Sequence, residues 1–457
     1  MILMINEEKL QEVEQWLIEN RIDDVEIMLP DLAGAARGKA MPRNKFIDGI
    51  RTRTLRLPEA LFGKSINGEF MSNKHLDETE RDLIIVPDLE TIALTPWQKE
   101  PTACVICDVE SEDGEAIMLS PRTILRHVLN LYAQKGWKPV VAPEFEFYLI
   151  DRQEDKTKPP QPPKGKSGIR EVGSSESYSI DAVDEFGDLF DAIYDACEDQ
   201  GIEIDTLIHE AGPAQFEFNV NHGDPLSVAD QSFYFKRVVK QLAIKHGMFA
   251  TFMARPYPDA AGSAMHLHQS VVDIETGDNV FANEDGSDSK LFLSHIAGLQ
   301  RYLPSSMPLI APYVNSYMRL AAQMSAPTNL HWARENRSVG LRVPSGSRAA
   351  RRIENRIPGS DCNPYLAIAA SLACGYIGMV EELEPSKEFE GSAYDASTRA
   401  IPSYLLEGMG KMDRCQPLRD VLSDAFVDTY LQVKEEEYAS YSGYLSPWET
   451  KYLLTTV

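Results

Sequence analysis

The feature that most constrains this chain is a run of nine residues, APEFEFYLI at 142–150, in which two glutamates interrupt an apolar segment. The apolar run predicts a buried strand, and side chains two residues apart on a strand point to the same face. Glu144 and Glu146 therefore share one face. Because two neighbouring carboxylates repel each other and are costly to bury without a partner, arginines or a metal ion must lie opposite them.

The composition excludes several classes of protein. A chain of 457 residues with 43% hydrophobic and 25% charged residues is typical of a soluble globular protein, here with two expected domains. The net charge of −25 argues against a nucleic-acid partner. There is no membrane-length apolar run, no basic signal-peptide segment at the N-terminus and no disulfide framework among the six scattered cysteines. We therefore expect a cytoplasmic protein without a membrane partner.

Secondary-structure patterns predict a small N-terminal domain, residues 1–115, and a larger domain, residues 116–457. The first contains a helix over 6–20, two strands around a turn at 33–36, and the strands DLIIVPDL and TACVICDV. Ser120 and Pro121 then begin a helix, after which strands and helices alternate in an α+β arrangement. The Pro- and Lys-rich segment 155–168 predicts an exposed loop, and the chain from Pro364 onward predicts mostly helix.

Three short motifs fail on their spacing. The tripeptide GKS resembles the end of a phosphate loop, but Pro58 occupies the position of the required glycine. The segment HEAGP has Pro213 where a zinc-protease helix needs its second histidine. Cys104 and Cys107 form one CxxC without a second pair, so we expect them to fill the core of a strand.

Further acidic and imidazole side chains accompany the paired glutamates. His266 and His268 lie two residues apart in GSAMHLHQSV, HEAGPAQFEFNV carries Glu210 and Glu217, and RRIENRIPG places Glu354 among arginines. Each residue alone is typical of an ordinary surface or core position, but together they indicate one site. Oxygen ligands with an imidazole suit Mg²⁺ or Mn²⁺, and nearby arginines suit a phosphoryl group. The sequence thus predicts nucleotide-dependent phosphoryl chemistry, with metal ions facing the paired glutamates.

The set of motifs resembles the glutamine synthetase family over essentially the whole chain. In order, the motifs are PEFEF, HEAGPAQFE, GSAMHLH, NSYMR, NRS, RRIENR and SPWETKYLLTTV. The resemblance implies an N-terminal β-grasp domain, a catalytic domain built on a curved antiparallel sheet, and active sites between the subunits of a homo-oligomeric ring, usually a dodecamer of two hexamers. It also implies ATP as co-substrate, two or more Mg²⁺ or Mn²⁺ ions per site, and phosphorylation of the γ-carboxylate of glutamate before an amine displaces the phosphate.

Matched position by position, the resemblance implies roles for individual residues. One metal ion would be held by Glu146, Glu210 and Glu217, and the second by Glu144, His266 and Glu354. The residues expected to bind ATP are His268, Ser270, Arg342 and Arg352. Those expected to bind glutamate are Gly262, Arg319 and Arg356, beside Glu146 and His266. Arg337 would stabilise the transferring phosphoryl group. Arg337 and Glu354 are the expected catalytic residues. All six metal positions are filled, which argues against a non-catalytic homologue.

Two positions differ from family members that use ammonia, and both bear on which amine is the acceptor. Family members that use ammonia hold it with an Asp in a turn of the N-terminal domain and a Glu that follows the glutamate-binding arginine. Here these positions fall on Phe62 and Ser325. Losing both carboxylates favours a larger amine, whose alkyl carbons or charge would meet the ring of Phe62. The segments RLPEALFGKSING and SPWETKYLL resemble the γ-glutamylpolyamine synthetase branch, so putrescine or another polyamine is the expected acceptor.

Two alternatives stay open. A monoamine-specific γ-glutamyl ligase would favour an apolar pocket, because the distal charge of a diamine needs a carboxylate. A glutamine synthetase that uses ammonia would need another acid, such as Glu59, in place of Phe62. Ala261 stands where the family usually has Asn, which changes part of the expected glutamate pocket. Tyr394 aligns with a tyrosine that is adenylylated in some bacterial members, but its surroundings differ and we expect no such regulation.

Overall fold

The computed structural model describes residues 7–76, 79–155, 157–171, 176–321, 326–394 and 399–456. The N-terminal elements are α1 (Glu7–Glu19), β1 (Asp24–Pro30), β2 (Ala36–Pro42), α2 (Arg43–Thr52), β3 (Arg56–Pro58), β4 (Asp82–Pro87), β5 (Ala93–Leu94) and β6 (Thr102–Glu110). Two 3₁₀ helices, Glu59–Gly63 and Leu89–Thr91, lie among them.

The remaining elements mix strands and helices, and several strands follow one another directly instead of alternating with helices as predicted. The elements from Pro364 onward are helices, as predicted. In chain order, the remaining elements are α3 (Pro121–Ala133), β7 (Trp137–Asp151), α4 (Ile180–Asp184), α5 (Gly187–Asp199), β8 (Ile204–His209), β9 (Gln215–Val220), α6 (Pro225–Lys245), β10 (Met248–Thr251), β11 (Met265–Asp273), α7 (Lys290–Ile310), α8 (Val314–Ala321), β12 (Trp332–Arg334), β13 (Leu341–Val343), β14 (Ile353–Asn355), α9 (Pro364–Val380), α10 (Leu405–Asp413), α11 (Gln416–Leu422), α12 (Asp424–Ser442) and α13 (Pro447–Tyr452).

The N-terminal sheet has the strand order β2-β1-β6-β4-β3, with β5 paired to β6. Its β1–β2 hairpin forms because the side chain of Asp31 accepts hydrogen bonds from the backbone N–H groups of Ala33 and Ala35, at 3.0 and 2.9 Å. Gly34 adopts a φ of +79°, a left-handed backbone conformation that residues with a Cβ atom rarely adopt. The predicted turn and both predicted strands around it are therefore confirmed.

The second sheet has the order β12-β13-β14-β11-β7-β9-β8, with β10 paired to β7. Its long central strand β7 runs antiparallel to β9, β10 and β11. Phe145 and Phe147 alternate with the paired glutamates and are fully buried, where they pack on Phe252. Since a slip of one residue would exchange the two faces, this aromatic packing fixes the glutamates on the opposite face of the sheet.

Buried apolar side chains form two large clusters. The buried members of the smaller cluster all lie between Leu10 and Leu119, and the larger cluster covers the second sheet and the helices packed on it. Cys104 and Cys107 are buried in β6, which confirms that they fill the core of a strand. Ser120 precedes α3 as predicted, but its side chain makes no capping hydrogen bond. Among the described residues, no helix is both long and apolar enough to cross a membrane.

Candidate active site

Strand register brings the predicted acidic and imidazole residues onto one face of the second sheet. His266 on β11 lies opposite Glu144 on β7, and Glu217 on β9 lies opposite Glu146. Residues opposite each other on antiparallel strands have Cβ atoms about 5 Å apart, so their side chains interact directly. The strands themselves therefore assemble the centre of the site.

Two further glutamates complete this arrangement. Glu354 on β14 lies opposite His268 on β11, one strand further from β7. Glu210 immediately follows β8, in the connection to β9 rather than in a strand, and lines the same cavity as Glu217. All seven of the predicted glutamate and histidine side chains thus surround one region of the sheet.

Hydrogen bonds determine the tautomers of both imidazoles. Nδ1 of His268 accepts from Nε of Arg352 at 3.2 Å, because an arginine can only donate. Nε2 of His268 therefore carries its proton and donates to Glu144 at 2.8 Å. Burial lowers the pKa of His266, whose Nδ1 donates to the other oxygen of Glu144 at 3.0 Å. Nε2 of the neutral His266 is left with a lone pair that can bind a metal ion.

The four glutamates that line the cavity carry more negative charge than their surroundings can stabilise. Burial, with the charge of Glu210, raises the pKa of Glu146 to about 8. Burial and the neighbouring glutamates raise the pKa of Glu217 to about 10, and burial also raises that of Glu210. Glu144 differs: burial opposes its ionisation, but the two histidine hydrogen bonds hold its pKa well below the usual range. Without added positive charge, this site retains protons at neutral pH.

These side chains fit divalent cations. Ligand atoms of Glu144, Glu217 and His266 lie within 4.8 Å of one another. The ligand atoms of Glu144, His268 and Glu354 also lie within 4.8 Å of one another. Carboxylate oxygens with one imidazole suit Mg²⁺ or Mn²⁺, and a bound cation would take the place of the protons that the buried carboxylates otherwise retain.

The two close groups of ligand atoms do not decide the predicted division of the six positions between two metal ions. Glu217 lies with Glu144 and His266, and not in a separate group with Glu146 and Glu210. The division of the six positions between two metal ions therefore stays a prediction. His268, which was expected to bind ATP, joins Glu144 in the second group.

Two cavities meet at Glu144 and Asn219. The larger cavity, of about 580 Å³, contains three of the four predicted ATP-binding residues, His268, Ser270 and Arg352. The smaller cavity, of about 360 Å³, contains the four glutamates 144, 146, 210 and 217 together with Gly262, His266, Arg319, Arg337, Arg342 and Arg356. Arg342, predicted to bind ATP, thus lies on the side of the predicted glutamate-binding residues.

The arginines of the smaller cavity differ in what they already bind. Glu354 accepts from Arg342 at 2.8 Å and also from Arg356. Arg319 is buried and donates to the backbone carbonyls of Ile357 and Arg356, at 2.8 and 3.1 Å. Arg337 is exposed and forms no ion pair with any other residue that the structure describes. Its guanidinium is therefore the one most available to an added anion.

Gly262 lies close against Arg319. A Cβ atom at position 262 would lie 2.5 Å from Cγ of Arg319 and 2.7 Å from the carbonyl oxygen of Ala254. Because neither distance is compatible with a side chain, a glycine is required for this approach. Ala261 beside it accepts a hydrogen bond from the hydroxyl of Tyr148 through its backbone carbonyl, at 2.6 Å.

The residues predicted for the amine site are not seen together. Phe62 is fully buried in the N-terminal core, so its ring does not face either cavity in this structure, and Ser325 lies outside the described residues. Burial of Phe62 follows from its place in a 3₁₀ helix whose apolar side chains turn inward. Glu59, the alternative acid, is bound by Arg81 through two hydrogen bonds of 2.9 and 2.8 Å. Tyr394 lines the smaller cavity.

Sequence reasoning missed one buried polar side chain of the smaller cavity. Gln215 lies two residues before Glu217, and its amide nitrogen is 3.3 Å from Glu146 and 3.1 Å from the carbonyl oxygen of Gly262. The spacing of two along β9 was a signal for a shared face, but a neutral amide carries no charge pattern that would single it out.

Comparison with known proteins identifies the family. The family model described as glutamine synthetase, catalytic domain, matches residues 118–453. This chain belongs to the glutamine synthetase family. Catalytic domains of this family use ATP and a divalent cation, which agrees with the arginines and the carboxylate–imidazole groups of the site.

Several family members are similar over nearly their full length. The chain is 32% identical over 464 residues to glutamate–isopropylamine ligase of a Pseudomonas species, covering 97% of each. It is 34% identical over 435 residues to γ-glutamylputrescine synthetase PuuA of Escherichia coli K12, covering 94% of this chain and 91% of PuuA. The solved apo structure of GmaS superposes with a TM-score of 0.82 at 27% identity, covering 97% of this chain and 99% of GmaS. The predicted α+β class with a curved catalytic sheet is confirmed.

Proposed function

We propose that this family member is an ATP-dependent ligase that joins the γ-carboxylate of glutamate to an amine and releases ADP and phosphate. The observation that carries the proposal is the junction of the two cavities at Glu144 and Asn219. ATP in the larger cavity would present its terminal phosphate at the junction, and glutamate in the smaller cavity would present its γ-carboxylate there. Proximity of this kind is the main requirement for phosphoryl transfer.

Different residues of the chain would bind the metal ions, orient glutamate and stabilise the phosphoryl group. Bound Mg²⁺ or Mn²⁺ ions, held by the glutamates and His266, would supply Lewis-acid chemistry to the phosphoryl oxygens. Arg319 and Gly262 form one wall against which the glutamate substrate is oriented. Arg337, which forms no ion pair with a described carboxylate, lines the cavity where it would stabilise negative charge on the transferring phosphoryl group. The amine then attacks γ-glutamyl phosphate.

For the acceptor we propose putrescine or another polyamine. Support comes from the absence of acids at both ammonia positions, Phe62 and Ser325, and from the similarity to PuuA. The monoamine alternative also has an observation in its favour. Among the described residues, the only carboxylates that line the smaller cavity are the four glutamates, and other parts of its lining, Ile208, Ala211 and Ala326, are apolar. A free carboxylate for a distal ammonium group would then have to come from elsewhere.

The acceptor is tested by ADP release from ATP, glutamate and Mg²⁺ with ammonia, putrescine, spermidine, isopropylamine or no amine, with products identified by mass. We expect turnover with amines and almost none with ammonia. Faster turnover with putrescine and spermidine than with isopropylamine would support a polyamine acceptor. The reverse order would support a monoamine-specific ligase. Turnover with ammonia at comparable efficiency would instead make the protein an ordinary glutamine synthetase and overturn the proposal.

We also propose a two-domain subunit, 1–115 and 116–457, in a homo-oligomeric ring assembly, a dodecamer of two hexamers. Family membership supports self-association. Large apolar side chains near the C-terminus support it too, since Tyr444, Trp448 and Leu454 are each more than half exposed in the isolated chain. Several large exposed apolar side chains in one short segment are typical of a surface that another subunit covers.

A further inference from the structure

One uncharged side chain connects three parts of the candidate site. Gln215 is 1% exposed and is the first residue of β9. Its Nε2 lies 3.3 Å from Oε2 of Glu146, 3.1 Å from the carbonyl oxygen of Gly262 and 3.4 Å from Oγ of Ser263. Its Oε1 accepts from the backbone N–H of Gly212 at 2.8 Å. A single amide thus contacts a candidate metal ligand, the glutamate wall and the β8–β9 connection.

The orientation of this amide is determined by its partners. The backbone N–H of Gly212 can only donate, so the atom facing it must be the oxygen of Gln215. The NH₂ group must then face Glu146 and the carbonyl of Gly262, both of which accept. A flipped amide would place its oxygen against a carboxylate and a carbonyl and would leave the Gly212 N–H without a partner.

This orientation decides which oxygen of Glu146 remains available. Oε2 of Glu146 accepts from the backbone N–H of Ala264 at 2.9 Å and from Gln215. The other oxygen, Oε1, is 4.0 Å from Nε2 of His266, the imidazole atom that has a free lone pair. Gln215 and Ala264 therefore hold one oxygen, and the second oxygen faces a potential ligand atom of the cavity.

The same residue also holds the connection that carries Glu210. The backbone N–H of Glu210 donates to the backbone carbonyl of Gln215 at 2.8 Å, and the side chain of Gln215 holds Gly212 two residues later. Ala214 fixes the end of the connection next to β9, because its backbone N–H donates to Glu171 at 2.7 Å and its carbonyl accepts from the N–H of Leu149 at 2.9 Å. The side chain of Gln215 fixes the middle of the connection at Gly212. Movement of Gln215 would therefore displace Glu210 and Glu146 together.

We propose that Gln215 is a positioning residue that orients the metal-facing oxygen of Glu146 and the glutamate-binding wall at Gly262. The proposal deepens the proposed function and rests on it for the glutamate part, whereas the metal part stands on the carboxylate geometry alone. Partners of this kind typically contribute 10–100-fold to metal affinity. Gln215 does not line the larger cavity, where ATP is proposed to bind. Loss of Gln215 should therefore weaken metal and glutamate binding and spare ATP binding.

The experiment compares Gln215→Glu, Gln215→Asn and Gln215→Ala with matched changes at Gln200. Gln215→Glu keeps the size and the acceptor for Gly212 but sets an oxygen against Glu146. Gln200 is a similarly buried glutamine, 7% exposed, whose Nε2 donates to the carbonyl of Leu94 at 2.7 Å, and it lines neither cavity of the site. Mn²⁺ binding is measured by electron paramagnetic resonance without substrates. KM for glutamate and for ATP is measured by ADP release.

For the Gln215 variants we expect Mn²⁺ affinity to fall about 10–100-fold and KM for glutamate to rise about tenfold, with KM for ATP changed less than about twofold. The Gln200 variants should match the wild type in all three. Folded Gln215 variants with wild-type Mn²⁺ affinity and glutamate KM would overturn the proposal, as would loss of folding in all three, which would make Gln215 a purely structural residue. Wild-type protein that binds Mn²⁺ but ligates no amine would refute the proposed function, while the Mn²⁺ comparison would still decide the role of Gln215.

Discussion

At the scale of single residues, Glu354 joins the metal-ligand groups to the arginines. Its side chain is 1% exposed and accepts from both Arg342 and Arg356, while its ligand atoms lie with those of Glu144 and His268. Glu354→Gln preserves the shape but removes the charge that the guanidiniums and a metal ion require. We expect ADP release to fall at least about 10–100-fold, and unfolding free energy to fall by about 3 kcal/mol. Steady-state kinetics and thermal unfolding measure the two effects.

A surface glutamate gives the matched control for this change. Glu388 is paired with Arg334 and is 37% exposed in its side chain, so Glu388→Gln removes the same charge from an arginine in contact with water. Its effect on stability should be under about 1 kcal/mol and its effect on ADP release negligible. Wild-type turnover in Glu354→Gln would contradict the assignment of Glu354 to the catalytic site.

Residue spacing was sufficient to predict that Glu144 shares a face with Glu146, and His266 with His268, because alternation along a strand is a local property. That the two pairs share one site was predicted from the chemistry of all the motifs together. The grouping of ligand atoms was not predictable in this way. It depends on the register between β7, β9 and β11, which pair across long stretches of chain. Phe62 shows the same limit, since a matched position does not reveal that its ring turns into the core.

At the scale of secondary-structure elements, α3 is joined to its neighbours through one buried arginine. Arg122 is 1% exposed and donates to Asp230 of α6 at 3.0 and 2.8 Å, to Asp108 of β6 at 2.8 Å and to Asp88 at 2.5 Å. Arg122→Met would leave three carboxylates without this partner. Because an unpaired buried charge is costly, we expect unfolding free energy to fall by about 3–5 kcal/mol, measured by denaturant unfolding.

The next turn of the same helix provides the control. Arg126 donates to the same oxygen of Asp108 at 2.8 Å, but its side chain is 38% exposed. Water screens this pair, so Arg126→Met should cost less than about 1 kcal/mol. Equal effects of the two substitutions would show that burial of Arg122 does not determine the strength of this connection.

Elements with strong local signals were predicted correctly, and their order in the sheets was not predicted at all. The turn at 33–36, the strands β4 and β6 and the start of α3 carry their own turn, alternation and proline signals. The pairing of β1 with β6 and of β7 with β11 joins segments separated by long connections, so it depends on which apolar faces pack together in the complete fold. No local pattern in a single sequence therefore reveals which distant strands pair.

At the scale of the whole molecule, the proposed ring requires a surface that two subunits share. α13 and the residues around it have this character, because the helix contains no buried residue and Trp448 and Leu454 are 61% and 71% exposed. Serine at both positions removes apolar area that contributes roughly 25 cal/mol per Å² when another subunit covers it. We expect the double variant Trp448→Ser, Leu454→Ser to form smaller assemblies than the wild type at equal concentration, measured by light scattering after size exclusion.

The folded subunit itself should tolerate this double change, since neither side chain packs in its core. Ile274→Ser is the matched control, because Ile274 is also a half-exposed apolar residue, 49% exposed, but follows β11 in a turn far along the chain from α13. It should leave the mass of the assembly unchanged. If the proposed sites lie between neighbouring subunits of a ring, the double variant should lose ligase activity where it dissociates to monomers and keep it where it forms intact hexamers. An unchanged mass in the double variant would exclude the C-terminal segment as a subunit contact, whereas monomers with full activity would place the complete active site within one subunit.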